Sequence, residues 1–378
     1  MKILLIPDSF KGSMTAEEVA LIMKNSIKKV FPASSCKVMP FSDGGEGALK
    51  VLENHSAGKI KECIAVDALF RPINTTYFLF SDQKSAWIEL SQTAGLVCLN
   101  QSELNPLITS TWGTGKMILN ALEQGCNRIF LGIGGSATHD FGSGIISALN
   151  GFLLDKNNKR LPQGGASISK LNHIDLSKMD ARVSQTEWII ACDVENPLIG
   201  KQGAAQIYAH QKGASKEMID QLEFAGNQFA DVVEGQYGVD IRSIKGGGAA
   251  GGVSSGLYGI LGARLEKGFD LLAALTGLDQ QIGKMDLVLT GEGAFDSQSL
   301  FGKLPFKIAK LTQKQKIPTL IIAGQTPVNK LPKMSHVKIY SSQPENMPLK
   351  EALKKAPHLL EVKLLEVLEA FKLKNKRL

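Results

Sequence analysis

The sequence predicts an α/β protein in which a doubly wound parallel sheet is interrupted by a second, inserted α/β domain with a mixed or antiparallel sheet. Three observations carry this. Short apolar runs alternate with stretches of helical spacing at both ends of the chain. The middle region opens with strand-like runs that follow one another before any clear helix. A length of 378 residues with 43% hydrophobic content suits two cores better than one.

Lys2 to Ile6 reads as a fully buried strand, and Thr15-Ala-Glu-Glu18 offers a capping box ahead of Val19, Ile22, Met23, Ile27 and Val30 at helical spacing. Lys37 to Phe41 repeats the plan, with Ser42-Asp-Gly-Gly-Glu-Gly47 as its loop and Ala48 to Leu52 opening the next helix. Glu62 to Val66, Thr75 to Phe80 and Ala86 to Leu90 are the consecutive strands, and Trp188 to Cys192 is a later one. Asp286 to Thr290, Pro318 to Ala323 and Val337 to Ser341 return to strands alternating with helices. From Leu349 alternating Lys and Glu among leucines describe a surface helix, ending in a solvated KLKNKRL tail. The expected division is residues 1–60 with 285–378 for the first domain and 61–284 for the second, with a ligand cleft between them.

A net charge of +7 and a pI near 9.0 favour anionic partners. Aromatics are only 6% and no basic run is interleaved with them, which points to a small anionic substrate and away from nucleic acid. Cys36, Cys63, Cys98, Cys126 and Cys192 are widely spaced and never form C-x-x-C, arguing for reduced thiols in the cytoplasm and against a zinc site. No stretch approaches the ~20 apolar residues of a membrane helix, so no membrane partner is expected.

The 38 glycines exceed the roughly 7% of an average protein and gather in loops. The densest is Leu131 to Gly144, LGIGGSATHDFGSG, directly after an apolar run. Glycines let successive backbone N–H groups turn toward one anion, and Ser136 and Thr138 add hydroxyl donors. Similar loops are Asp8-Ser-Phe-Lys-Gly12, the Ser42 to Gly47 turn, Gly246 to Gly252 and Thr290 to Asp296. Together they suggest a phosphate and metal site. Lys11 would reach a transferring phosphoryl group or be a solvated loop lysine, and Asp193, at a strand end, would serve as base or metal ligand or cap a helix. Asp43 and Glu46 would bind Mg²⁺ or substrate hydroxyls or cap a helix, and Glu292 and Asp296 pose the same choice. Arg71 would clamp a carboxylate or pair locally, and His139 would shuttle a proton or bond locally.

A rival reading starts from Gly132-Ile-Gly-Gly-Ser-Ala137, which satisfies G-x-G-x-x-A, with Asp155 at roughly the acidic spacing of an NAD(P) fold. It would make the chain an oxidoreductase of a small hydroxy acid. Against it, Gly142 and Gly144 are poor for the helix that should follow. The standard P-loop and the protein-kinase signatures are absent.

DSFKGSMTAEEVA, SDGGEGALKVL, TSTWGTGKMI, GIGGSATHDFGSG, ACDVENPLIG, HQKGA, GGGAAGG and DLVLTGEGAFDSQSLFGK occur in the order, and nearly the wording, of the bacterial glycerate kinase type 1 family, which the chain resembles over almost its whole length. The resemblance implies a flavodoxin-like domain interrupted by a second α/β domain. It also implies phosphorylation of D-glycerate to 2-phosphoglycerate by ATP with Mg²⁺, in a monomer or homodimer. Carried onto this sequence, it makes Lys11 and Asp193 the catalytic pair. Asp8, Ser9, Asp43, Gly44, Gly45, Glu46, Arg71, Gly134, Gly135, Ser136, Thr138 and Asp140 become the substrate-binding set. Gly247, Gly248, Gly251, Gly291, Glu292 and Asp296 fall to the nucleotide, the last two carboxylates also to the metal. The chain departs from the family's usual wording at His139, Phe141, Tyr208, Ala209, His210 and Ala294. A non-catalytic sugar-acid binder is the remaining alternative.

Overall fold

The alternation of apolar runs and helices at the two ends of the chain produces one parallel sheet, and the run of strands in the middle produces a second, mixed one. The computed structural model describes residues 1–39, 41, 47–295, 303–326 and 334–374. Among these the strands, in chain order, are β1 (Lys2–Pro7), β2 (Ser35–Val38), β3 (Gly58–Val66), β4 (Pro72–Phe80), β5 (Ser85–Glu89), β6 (Arg128–Gly132), β7 (Phe152–Leu154), β8 (His173–Asp175), β9 (Glu187–Ala191), β10 (Arg264–Glu266), β11 (Leu287–Ala294), β12 (Thr319–Gln325) and β13 (Val337–Ser341). The chain forms two units, residues 1–43 with 273–378 and residues 44–272.

The first unit carries the sheet β13-β12-β11-β1-β2, all parallel. Ile3, Leu4, Leu5 and Ile6 are all fully buried, as a strand covered on both faces requires. On one face Ile3, Leu5, Leu289 and Ile322 meet Val19, Met23 and Ile27 of the helix Ala16–Val30 and Leu360, Leu364 and Leu368 of the helix Leu349–Lys374. On the other, Ile321 and Ala323 meet Phe306 and Ala309 of the helix Leu304–Gln315. The capping box is formed: Glu18 N–H donates to Thr15 Oγ1 at 3.2 Å, and Thr15 N–H donates to Glu18 Oε2 at 2.7 Å. From β1 the chain steps outward to β2, and after the second unit it returns to the opposite side of β1 as β11. The strand order therefore reverses between β1 and β11.

The second unit carries the sheet β10-β9-β6-β5-β4-β3, parallel from β10 to β5 and antiparallel from β5 to β3. β7 and β8 form a separate antiparallel pair. The units divide at 43/44 and 272/273, earlier in the chain at both junctions than 60/61 and 284/285. Local packing explains this. The helix Ala48–His55 packs on β3, β4 and β5, and Leu49 N–H donates to the buried Glu89 Oε1 at 2.9 Å. The helix Leu278–Ile282 packs on Leu304–Gln315, with Gln315 Nε2 donating to Asp279 O at 2.9 Å. Among the described residues no helix is long and apolar enough to cross a membrane.

The GGGAAGG segment interrupts the helix Ala249–Leu261, because Ala250, Gly251 and Gly252 take φ of 53°, 66° and 86°. Glycine adopts this left-handed region freely, whereas the Cβ of Ala250 crowds its own backbone there. Ala250→Gly should stabilise the protein by about 1 kcal/mol. The urea midpoint checks it, and an unchanged or lower value contradicts the strain at this position.

Candidate active site

In a doubly wound sheet the crevice for a ligand opens beyond the carboxyl ends of the strands where their order reverses. Here that is the end of β1 and β11. Asp8 N–H donates to Gly291 O at 2.9 Å and Thr290 Oγ1 to Ile6 O at 2.6 Å, locking the two strand ends together. Beyond them the backbones press closer than any side chain allows. A Cβ on Gly324 would stand 2.3 Å from Gly293 O, and one on Gly291 would stand 2.2 Å from Ile322 O. The glycines of the TGEG run thus serve close strand approach, and Gly291 itself is buried in β11.

A cavity of about 560 Å³ opens at this point, within the first unit. It is lined by the polar residues Asp8, Ser9, Lys11, Ser13, Glu292 and Lys303 and by the apolar Leu349, Ala352, Leu353, Ala356 and Leu359 of the long helix. Asp8 Oδ1 accepts from Ser9 N–H at 2.7 Å, which orients the loop that displays Lys11. Glu292 is buried, and its Oε2 lies 3.4 Å from Lys303 Nζ. Four residues expected from sequence, Asp8, Ser9, Lys11 and Glu292, thereby meet in one cavity. Asp43, Gly44, Gly45, Glu46 and Asp296 lie outside the described residues.

In the second unit the Gly134 to Asp140 loop follows β6, and Asp193 follows β9, its parallel neighbour. Asp193 is exposed, as is Gly135, whereas Ser136, Thr138 and Asp140 are buried. Asp140 Oδ2 accepts from Thr111 N–H at 2.8 Å, Thr111 Oγ1 at 2.9 Å and Gly144 N–H at 3.2 Å, and Oδ1 accepts from Gly142 N–H at 3.2 Å. Its carboxylate fastens the loop from inside. Burial pushes the Asp140 carboxyl up from its ordinary value, against the pull of those donors.

Lys212, of the HQKGA motif, is only 1% exposed and is the residue whose part the sequence did not disclose. Its Nζ donates to Thr138 O at 2.6 Å and Ser136 Oγ at 2.8 Å. Burial pushes its ammonium down to about 7, with the Asp140 charge opposing. His139 beside it is held well below its ordinary value by burial and then by the Lys212 charge, so its imidazole is neutral. Gly247, Gly248 and Gly251 face the protein's own atoms. A Cβ on them would stand 2.4 Å from Ser255 Oγ, 2.3 Å from Pro197 O and 2.4 Å from Thr138 O, so the segment packs on the loops after β9 and β6. Arg71 binds Asp67 Oδ2 at 2.5 Å and Glu103 Oε1 at 2.6 Å, the local pairing of its two readings.

The dinucleotide reading does not survive this geometry. Ten residues separate β6 from the helix Ser143–Ala148, so no glycine turn leads directly into a helix. The strand before Asp155 is β7, outside the parallel sheet, and Asp155 Oδ1 accepts from Asn157 N–H at 2.8 Å and Lys159 N–H at 2.9 Å in its own turn.

A cavity at the strand-order reversal, lined by Lys11 and Lys303 and by Asp8 and Glu292, lies where α/β enzymes bind their ligands. The chain belongs to the glycerate kinase family, whose model matches residues 3–372. A glycerate kinase of Bacillus subtilis (strain 168) is 37% identical over 99% of this chain and 98% of its own. A glycerate 2-kinase of Escherichia coli (strain K12) is 38% identical over 86% of this chain and 85% of its own. The crystal structure of a Salmonella typhimurium LT2 protein assigned as glycerate kinase 2 superposes with a TM-score of 0.83 at 35% identity, covering 100% of this chain and 99% of that one.

Two outcomes follow for the buried polar groups. Asp140→Ala strands several buried N–H donors and should lower stability by about 3 kcal/mol, read from urea unfolding. Lys212 keeps its proton up to about pH 7 in the folded chain and up to its ordinary 10.5 when unfolded. Between those values the unfolded state binds more protons, so stability rises with pH, and below them this lysine contributes no slope. Lys212→Met should flatten the gain in stability between pH 7 and 9, and equal slopes in both proteins would refute the low ammonium value.

Proposed function

We propose that the chain transfers the terminal phosphoryl group of ATP to the 2-hydroxyl of D-glycerate, giving 2-phosphoglycerate and ADP. The carrying observation is the cavity where Asp8, Lys11, Glu292 and Lys303 meet at the strand-order reversal of a glycerate kinase family chain. The 2-hydroxyl is chosen because the Escherichia coli relative is a glycerate 2-kinase.

Phosphoryl transfer needs positioning and neutralisation of charge more than covalent help. Lys11, exposed on the loop after β1, neutralises charge on the transferring group, and Lys303 attracts the phosphates beside it. Asp193 orients the 2-hydroxyl and accepts its proton. Among the described residues no group of three or more His, Cys, Asp or Glu is placed to hold a metal ion. Mg²⁺ bound through phosphates needs only one or two carboxylates, and the hard oxygens of Asp8 and Glu292 at one cavity fit that demand. Mg²⁺ held there would screen the phosphate oxygens; Asp296 is a further candidate ligand.

The test is ATP consumption as a function of glycerate and Mg²⁺, with the product identified by phosphorus NMR. Turnover requiring both, with the phosphoryl group on the 2-hydroxyl, is expected. Glycerate binding without turnover, or reduction of NAD(P) instead, overturns the proposal. Lys11→Ala and Asp193→Asn should each lower kcat about a hundredfold, on the order of 3 kcal/mol, while folding normally. Wild-type turnover in either variant removes that residue from the mechanism.

A further inference from the structure

The apolar side of the first unit's cavity is not needed by a three-carbon acid. Leu349 and Leu353 stand one turn apart on the long helix, 54% and 37% exposed, at a cavity that Lys11 and Lys303 also line. Leu360, Leu364 and Leu368 of the same helix are fully buried in the core, so the helix is anchored without these two leucines. Both leucines therefore keep apolar surface at the cavity that the core does not bury. A volume of about 560 Å³ lies in the ~300–1,000 Å³ range that buries drug-sized ligands. It exceeds what glycerate alone fills.

We infer that this cavity is the nucleotide's own site, with the base laid against Leu349, Leu353 and Ala356 and the phosphates extending toward Lys11 and Lys303. The inference rests on the kinase reading for the identity of the nucleotide. Its own warrant is amphipathy: a nucleoside triphosphate has a flat apolar end and a polyanionic end, and the cavity's lining supplies both apolar side chains and cations. Gln343 lies at the same cavity with its side chain fixed, its Oε1 accepting from Gln325 Nε2 and its Nε2 donating to Met347 O, both at 2.5 Å. That pinned pair gives the cavity a rigid polar edge beside the helix.

The experiment measures binding of ATP and of inorganic tripolyphosphate to the full chain by calorimetry, alongside steady-state constants. Leu349→Ser/Leu353→Ser removes the apolar wall without adding charge or touching the buried leucines, and circular dichroism verifies its fold. The ATP Kd should rise about tenfold, tripolyphosphate affinity should stay within twofold, and the KM for glycerate should stay within twofold. Lys303→Ala should weaken both polyanions. An unchanged ATP Kd, or a raised KM for glycerate in its place, overturns the assignment while leaving the kinase activity standing. Failure of wild-type protein to turn over glycerate overturns the kinase reading, and the binding measurement still decides whether this cavity holds ATP.

Discussion

The constraint behind the site is the reversal of strand order between β1 and β11. Parallel neighbours whose chain connections leave in opposite directions cannot both be covered at their carboxyl ends, and the uncovered end becomes a crevice. The lining residues that extend from the strand ends owe their place to this. Asp8, Ser9 and Lys11 extend from β1, Glu292 and Ala294 belong to β11, and Gln325 ends β12. The strand ends converge because Gly291, Gly293 and Gly324 present no side chains where the backbones meet. Ligand chemistry and strand packing therefore place different demands on the same short run: carboxylate at one position, absence of a Cβ at the next.

The second unit solves a different problem with similar residues. A glycine-dense loop exposes many backbone donors and acceptors, and burying them unpaired would cost about 1–3 kcal/mol each. Asp140 takes up donors and Lys212 takes up an acceptor, so the loop after β6 is fixed by two buried groups, the Asp140 carboxyl and the Lys212 side-chain nitrogen. Backbone bonds secure it from the other side, with Ala137 N–H donating to Ala94 O and Leu96 N–H to Gly135 O. A loop held this firmly can leave Gly135 at the surface in a fixed orientation.

Much of the fold was legible because buried parallel strands write themselves as short unbroken apolar runs. Lys2 to Ile6 was found nearly to the residue; Val337 to Ser341 matches its strand too, although it is an edge strand, VKIYS, with Lys338 exposed. The cavity's polar half was legible as well, since Lys11 in its loop and Glu292 at the end of β11 sit in runs whose glycines announce tight backbone. Its apolar half was not. Leu349 and Leu353 share a helix with Leu360 and Leu364, and periodicity cannot separate a leucine facing the core from one facing a ligand. Lys212 was hidden for another reason: a lysine without an apolar context in sequence is read as solvated, and only the packing of the loop after β6 buries it. The glycine-rich Gly246 to Gly252 run looked like an anion cradle, yet its glycines make room for neighbouring chain.

That last distinction bears on the departures at His139 and Phe141. Phe141 takes a φ of 58°, a conformation natural to glycine and strained for phenylalanine. The strain is offset inside the unit. Phe141 stacks on Phe229 with ring centroids 5.3 Å apart and meets His139 edge to face at 5.1 Å. The space for both rings exists because Gly251 and Gly252 lack side chains: a Cβ on Gly252 would stand 2.6 Å from the Phe141 ring, and one on Gly251 would stand 3.0 Å from the His139 ring. Both residues are 1% exposed. The two departures therefore point inward and are answered by packing, so they alter how the loop is supported and leave its outer face, at Gly134 and Gly135, as glycine.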